Sequence, residues 1–577
     1  MVYKKEQWGT DKIMLKTWFC LANDFEAFYG PSAFQDAKNA LVSGIKEFRA
    51  YKWPARSQVK PHLFKCMAQL ENLNKRYRYE DDLYTDAQLE TMAKDKFLET
   101  QTRVSLPLTL TPTVRMWLVE ARKICTSILG EYSEEEHFSL CRFGKRACVG
   151  VPKSKSYLDF KLGHPLTSSK YHIAWFTKYL ETDPLLTEIV KPKGLVECDT
   201  LALAFAPKSF KARRTICANT LVGSFYTYGL GKVFQERLAG VGLDIRSLQL
   251  RHGHLAKKNS RSRDLVTADL SSASDSLSRE LLRRLLPAKW YSATIRGSIP
   301  YVRIDGERVR LSSVLTMGLG HTFPLQTLIY YALLKSLVNL VKPRLKFVSV
   351  YGDDLIYPRQ IHKYVRKLFP HIHLILNEDK TYVEDFFRES CGNDYCRGVD
   401  VRPHQPEGGR ELYCRKGIST FLYKLLNGLK RKWTEVEIPL TLDYLLTEIY
   451  HFSDEGVLQV PSSFPDGSGL KTDYPSRASL YKPVVWNRFG WTFESLTTHS
   501  GFRKVRNQLP YYWERLRSSN NLEIDDESFE SVPSDEPILV WRKIQNPHGR
   551  GRVLQAGVMR KDDISYGSHQ RRINEWV

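Results

Sequence analysis

Asp353 and Asp354 stand side by side in FVSVYGDDLIYP (347–358). In an extended strand neighbouring side chains point to opposite faces, so two adjacent acids serve one site only where the chain turns. Gly352 allows that turn, because glycine takes the positive φ of a tight hairpin, and the β-branched and aromatic runs on either side read as two short strands. Two carboxylates a few ångströms apart repel, and a cation relieves the repulsion. Magnesium suits them, being a hard ion that takes oxygen ligands and shares them with substrate phosphates. Alone, the motif is read more plainly as a solvated Gly-Asp turn.

A second group of acids changes that balance. In DLVTADLSSASDSLSRELLRRLL (264–286), LVTAD reads as a strand ending at Asp269, followed by a helix from about Ser274 that Ser271 and Ser272 are suited to cap. If the two strands are neighbours, Asp269 meets Asp353 and Asp354, and three acids hold two Mg²⁺ about 4 Å apart, the arrangement of phosphoryl transfer. Asp275 is too far along the chain to be a twin of Asp269. It is either an acid complementing a helix N-terminus or a reader of a sugar hydroxyl.

Other polar groups surround these acids in the chain. PKSFKARRTI (207–216) gathers Lys208, Lys211, Arg213 and Arg214, a set able to grip triphosphate oxygens or simply to face solvent. TMGLGHTFPLQTLIYYALL (316–334) carries Gly318 and Gly320, which allow close backbone approach, then Thr322 as a cap and Pro324 in the first turn of a long apolar helix.

These residues need a rigid scaffold, and 577 residues at 42% hydrophobic content are enough for a large core. The alternation of strands and helices between about 200 and 400 implies an α+β region. Beyond 415, ISTFLYKLLNGLKRKW reads as an amphipathic helix with a basic back. Lys and Arg number 86 against 64 Asp and Glu, a net +22 that favours a polyanionic partner, nucleic acid before membrane. Ten cysteines without a CxxC pair suit a reducing compartment, and Cys391 and Cys396 with His371 and His373 match no common zinc spacing. The N-terminus lacks an apolar run of the secretory kind, and 325–341 carries Gln326, Lys335 and Asn339, so it reads as a buried helix rather than a span. The acidic stretch 521–537 reads as a solvated loop, and the basic tail after it as solvated surface or an RNA contact.

The order of these motifs resembles the palm of template-directed polymerases. More closely, DLSSASDSLS, MGLGHTFPL, YGDD, and FRESCG followed by GVDV resemble the RNA-dependent RNA polymerase subunit of the positive-strand RNA bacteriophages, the levivirus replicase. The resemblance runs from about 207 to 402. It implies an α+β right-hand fold, with fingers mostly in 1–200, a fingers and palm core in 201–402, and a thumb in 403–577. It implies Asp269 and Asp353 as principal ligands of two Mg²⁺, with Asp354 beside them. Asp275 would recognise the ribose 2′-hydroxyl with help from the Gly318 to Gln326 segment. Thr322 and Gln326 fall where related polymerases carry Thr and Asn. Lys208, Lys211 and Arg214 would hold the incoming NTP, and Lys380 in LNEDK would donate a proton to departing pyrophosphate. Leu319 departs from the phage pattern, which has Asn between the glycines.

The implied partners are RNA template and product, NTPs, host elongation factors Tu and Ts, and a small-subunit ribosomal protein, in the bacterial host cytoplasm with no membrane. Two rivals predict different behaviour. A reverse transcriptase would place a bulky aromatic near Asp275 and use dNTPs, whereas a non-catalytic RNA-binding or packaging protein would bind RNA without Mg²⁺-dependent synthesis.

Overall fold

The computed structural model describes residues 10–545 and 554–556, apart from 31–32, 56–57, 77–82, 153–154, 406–414, 454–455, 473–484, 488–489, 505–507, 519–530 and 546–553. Its central sheet is built on the acid hairpin. Ser349–Tyr351 and Asp354–Pro358 pair antiparallel with Tyr351 opposite Asp354, around a two-residue turn of Gly352 and Asp353. Gly352 sits at φ +64°, and a Cβ there would lie 2.3 Å from the Phe323 ring, so both backbone and space require glycine. Asp354–Pro358 is the middle strand, and its other edge pairs with Leu265–Ala268. That register runs from Leu265 opposite Pro358 to Ala268 opposite Leu355, so one further step sets Asp269 opposite Asp354.

The apolar run after Pro324 folds as the buried helix Thr322–Val341, covered on nearly all sides. It supports the hairpin from beneath: Thr327 Oγ1 accepts the Gly352 N–H at 2.9 Å, and Phe323 meets Tyr351 edge-on at 4.8 Å between ring centroids. The helix Pro112–Leu129 packs against it, Trp117 donating to the Leu333 carbonyl at 2.9 Å. A second sheet carries the basic hairpin Leu201–Ser209 and Ala212–Ala218, extended by Tyr301–Ile304 and Glu307–Arg310. A third consists of Phe387–Ser390, Asn393–Cys396 and Val399–Asp400. The class is therefore α+β.

The principal core is made of residues between 108 and 376, joined by Trp513. A second core joins distant parts of the chain. Helices Thr10–Tyr29 and Pro61–Arg76 share it with Arg415–Lys432 and Pro439–Phe452. The amphipathic reading of the 415–432 helix holds, with Phe421, Leu422, Leu425, Leu426 and Leu429 all buried. Asp24 ties the two ends together by accepting the N–H groups of Leu440 and Thr441 at 3.0 and 2.9 Å and the Thr441 hydroxyl at 2.6 Å.

Three local expectations change. The helix after Asp269 starts at Arg279 and is capped by Ser278, whose Oγ accepts the Leu281 N–H at 3.1 Å, not by Ser271 or Ser272. Leu277 is extended there (ψ +101°) and confines the preceding turn to Ser274–Ser276. Thr322 does not cap its helix: its Oγ1 donates to the Thr316 carbonyl at 2.8 Å and closes the 316–322 loop, leaving His321 at the N-cap without a side-chain bond. Residues 531–537 open the strand Ser531–Gln545, pairing with Gly490–Lys504, rather than continuing a loop; 521–530 lie outside the described residues. Of the basic tail, Arg542 and Lys543 fall in that strand, while Arg550, Arg552, Arg560, Lys561, Arg571 and Arg572 lie outside the described residues. Among the described residues no helix is long and apolar enough to cross a membrane.

Candidate active site

The ends of the Leu265–Ala268 and Asp354–Pro358 strands converge with the Gly352–Asp353 turn, bringing Asp269, Asp353 and Asp354 within each other's electrostatic reach. Burial raises the Asp354 carboxyl to about 7, and the neighbouring Asp353, then Asp269 and Glu389, add to the rise. Asp353 is likewise raised, by burial and then by Asp269, while Lys380 and Arg214 work the other way. The backbone N–H of Cys391 is the group that favours ionised Asp354.

Lys380 stands over this set. Its Nζ lies 3.4 Å from Asp269 Oδ2 and 3.8 Å from Glu389 Oε1. Burial works against the ammonium, yet Glu389, Asp269 and Asp354 outweigh it and hold Lys380 above the ordinary lysine pKa. Asn377 fixes Asp269 from the same loop, its backbone N–H donating to the Asp269 carbonyl at 2.9 Å and its amide to Oδ2 at 3.4 Å.

The basic hairpin divides its charges by strand geometry. Arg214 pairs opposite Ala206, and a register shift between Pro207 and Ser209 leaves Lys208 as the extra residue, re-aimed as bulged residues are. Partial desolvation lowers Lys208, followed by the nearby Arg214, Lys380 and Lys96, while Asp269 opposes them. Lys208 and Arg214 therefore belong to the field of the acids. Arg213, on alternate phase, is taken by an ion pair with Asp86, and Lys211 is exposed in the turn.

Asp275 lies in a neighbouring buried recess. Burial raises its carboxyl to about 7, and Oδ1 has no hydrogen-bond partner among the described residues. The Thr316 hydroxyl is buried and unpartnered in the same way. Gly318, at φ +122°, passes so close to the Cys217 carbonyl that a Cβ would sit 2.4 Å from it. Gln326 lies beside Tyr330, whose hydroxyl donates to the Ala273 carbonyl at 2.7 Å and lies within the fields of both Asp353 and Asp275. Thr322 is spent on the 316–322 loop. Leu319, 4% exposed, packs with Leu201, Val302 and Leu311 in a small separate core, which accounts for an apolar residue where the phage pattern has Asn.

Some members of the site carried no role in the sequence reading. Glu389 and Cys391 sit inside FRESCG, where neither residue type nor spacing ties them to the acids. Arg103, whose Nη2 donates to Ser276 Oγ at 2.9 Å, and Lys96 come from the helix Asp86–Ser105, and nothing local in the sequence ties that helix to the acids.

Among the described residues no group of three or more His, Cys, Asp and Glu side chains is arranged to hold a metal ion unaided. Magnesium seldom occupies such a cage. It keeps waters and takes one or two carboxylates plus substrate phosphates, and an all-oxygen set of mutually repelling acids fits that demand.

The model of the family described as RNA replicase, beta-chain, matches residues 74–457. The RNA-directed RNA polymerase beta chain of Escherichia phage MS2 is 33% identical over 307 residues, 52% of this chain and 53% of that protein. The RNA-directed RNA polymerase subunit beta of Qbeta virus (strain MX1) is 36% identical over 338 residues, 56% of this chain and 53% of that protein. The chain thus matches about half the length of these relatives. The RNA-dependent RNA polymerase of a human picorbirnavirus aligns at a TM-score of 0.31 and 17% identity, over 44% of this chain and 56% of that one. With its family model covering well over half its length, the chain belongs to the RNA replicase beta-chain family.

Proposed function

We propose that the chain is an RNA-dependent RNA polymerase that copies a viral positive-strand RNA genome from NTPs, releasing pyrophosphate. The observation that carries this reading is the register that sets Asp269 opposite Asp354 beside the Gly352–Asp353 turn, so that acids 84 residues or more apart in sequence share one site. Asp269, Asp353 and Asp354 would hold two Mg²⁺, which when bound supply the positive charge that offsets the attacking 3′-oxygen and the departing pyrophosphate.

The chain's own groups do the remaining work. Lys208 and Arg214 grip the triphosphate, with exposed Lys211 guiding its approach. Asp275 accepts a hydrogen bond from the ribose 2′-hydroxyl at its unpartnered oxygen, within a recess shaped by Gly318, Thr322 and Gln326. Lys380, held protonated by the surrounding acids, carries the proton for the pyrophosphate. The three sheets and their helices form the palm and part of the fingers within 201–402, with fingers mostly in 1–200 and a thumb in 403–577. The +22 charge holds template and product RNA through backbone phosphates.

On this reading the chain acts in the bacterial host cytoplasm, joined by elongation factors Tu and Ts and a small-subunit ribosomal protein. The test is Mg²⁺-dependent copying of a defined RNA, first by the chain alone and then with host extract, with NTPs compared with dNTPs. Synthesis from NTPs is expected. Preference for dNTPs would assign a reverse transcriptase, and RNA binding without synthesis under either condition would assign a binding protein.

A further inference from the structure

His252 lies on the helix Ile245–Ser262, outside every motif that carries an acid of the site, and is fully buried. Both ring nitrogens are engaged. Nδ1 is 2.8 Å from Ser390 Oγ and Nε2 is 2.8 Å from Ser349 Oγ, and both serines are 1% exposed. A hydroxyl can donate or accept, so a neutral imidazole meets this pair by donating from one nitrogen and accepting at the other. Burial drives the His252 pKa down to about 4, and the ring stays neutral at ordinary pH.

The two serines belong to different sheets. Ser349 opens the first strand of the acid hairpin, three residues before Gly352. Ser390 closes Phe387–Ser390 and directly precedes Cys391, whose backbone lies beside the Asp354 carboxylate. Among the described residues no strand pairing joins these two sheets. Away from the acids Arg388 links them, its Nε donating to the Leu265 carbonyl at 2.9 Å. At the acid end His252 does so, and one turn earlier on the same helix Gln249 donates to the Cys391 carbonyl at 3.2 Å. The Cys391 turn is itself tense, at φ +51°, so its position depends on such outside bonds.

We propose that His252 is a positioning residue that locks the acid hairpin to the Ser390–Cys391 turn and so fixes where Asp353 and Asp354 stand against that turn. The inference rests on the polymerase reading given above. It assigns His252 no contact with substrate; it acts through Ser349, Ser390 and Cys391.

The test uses the full chain, with His252→Phe to fill the volume without either bond, His252→Gln to retain one donor and one acceptor, and Ser390→Ala to remove one partner. Two quantities are read: the Mg²⁺ concentration that half-saturates RNA copying, and the Mg²⁺ concentration that half-saturates the rise in melting temperature of the chain without RNA or NTP. Asp353→Asn serves as the control that has lost the ion. His252→Phe is expected to raise both half-saturating concentrations about tenfold, Ser390→Ala to raise them less, and His252→Gln to recover part of the loss, with template RNA affinity unchanged. Unchanged Mg²⁺ titrations in folded His252→Phe, or a loss of melting temperature and RNA affinity with no change in Mg²⁺ demand, would overturn the proposal. If His252→Phe does not fold, Ser390→Ala carries the same comparison. A wild-type chain that neither copies RNA nor responds to Mg²⁺ would overturn the polymerase reading itself, whereas an active wild type with indifferent variants overturns only the role of His252.

Discussion

Lys380 Nζ lies 3.4 Å from Asp269 Oδ2, so a cation of the chain's own stands against the acid that continues the register of the central sheet. Replacing it with methionine removes a positive charge beside three mutually repelling carboxylates. The Asp353 carboxyl, already raised by burial and then by Asp269, loses the cation that opposes that rise, and the acid limb of the pH–rate profile moves to higher pH. If Lys380 also supplies the proton to pyrophosphate, the maximal rate falls about 10²-fold or more. A pH profile of single-nucleotide incorporation checks both. A lower rate with an unmoved acid limb would remove the electrostatic part of the account.

Asp275 is buried with an unpartnered oxygen, and its carboxyl is raised to about 7 from an ordinary 3.8. Between those values the unfolded chain has released this proton and the folded chain keeps it, so stability falls as pH rises through the window and levels off above it. Asp275→Asn is therefore expected to stabilise the fold by roughly 2–4 kcal/mol at pH 8 and by little near pH 4. It should also erode the preference for NTP over dNTP. Denaturant melts at the two pH values and a competition assay read these effects separately.

Gly352→Ala tests the hairpin. The backbone there is left-handed and the new methyl would lie 2.3 Å from the Phe323 ring, so strain and overlap together cost about 1–3 kcal/mol. Because the turn carries Asp353, incorporation is expected to fall further than stability does. Chemical denaturation alongside an incorporation assay distinguishes the two losses.

Asp24 tests the joining of the chain ends. It accepts three hydrogen bonds from Leu440 and Thr441 at the start of the 439–452 helix, and it is 3% exposed. Asp24→Ala leaves those donors unsatisfied and should destabilise the protein by about 2–4 kcal/mol, while the Mg²⁺ requirement of any remaining folded enzyme is unchanged. Melting and Mg²⁺ titration of the same sample check this.

The legible parts of the molecule were those in which residue type and local conformation coincide. YGDD between β-branched runs could only turn at glycine, LVTAD could only end at its acid, and the apolar run after Pro324 had nowhere to lie but inside. The pairing of Leu265–Ala268 with Asp354–Pro358, on which the site depends, is a long-range register that no local pattern in either strand specifies. What sequence did not disclose depends on tertiary partners. Ser278 displaced Ser271 and Ser272 as cap because Leu277 is extended, and Thr322 turned to the Thr316 carbonyl. Lys96, Arg103 and His252 enter from helices whose own periodicity reports only which face is buried. The charge cluster at 208–214 is uniform along the chain, and a bulge at Lys208 together with the pairing of Arg213 to Asp86 divides it.

The central claim is that Asp269, Asp353 and Asp354 form one Mg²⁺-dependent site for copying RNA, and Asp353→Asn tests it most directly. The substitution keeps the shape of the turn and removes one charge. With a defined RNA template, NTPs and Mg²⁺, under the conditions in which the wild-type chain is active, the account predicts that incorporation by Asp353→Asn falls to background while RNA affinity and melting behaviour show an intact fold. Normal incorporation by Asp353→Asn would contradict it.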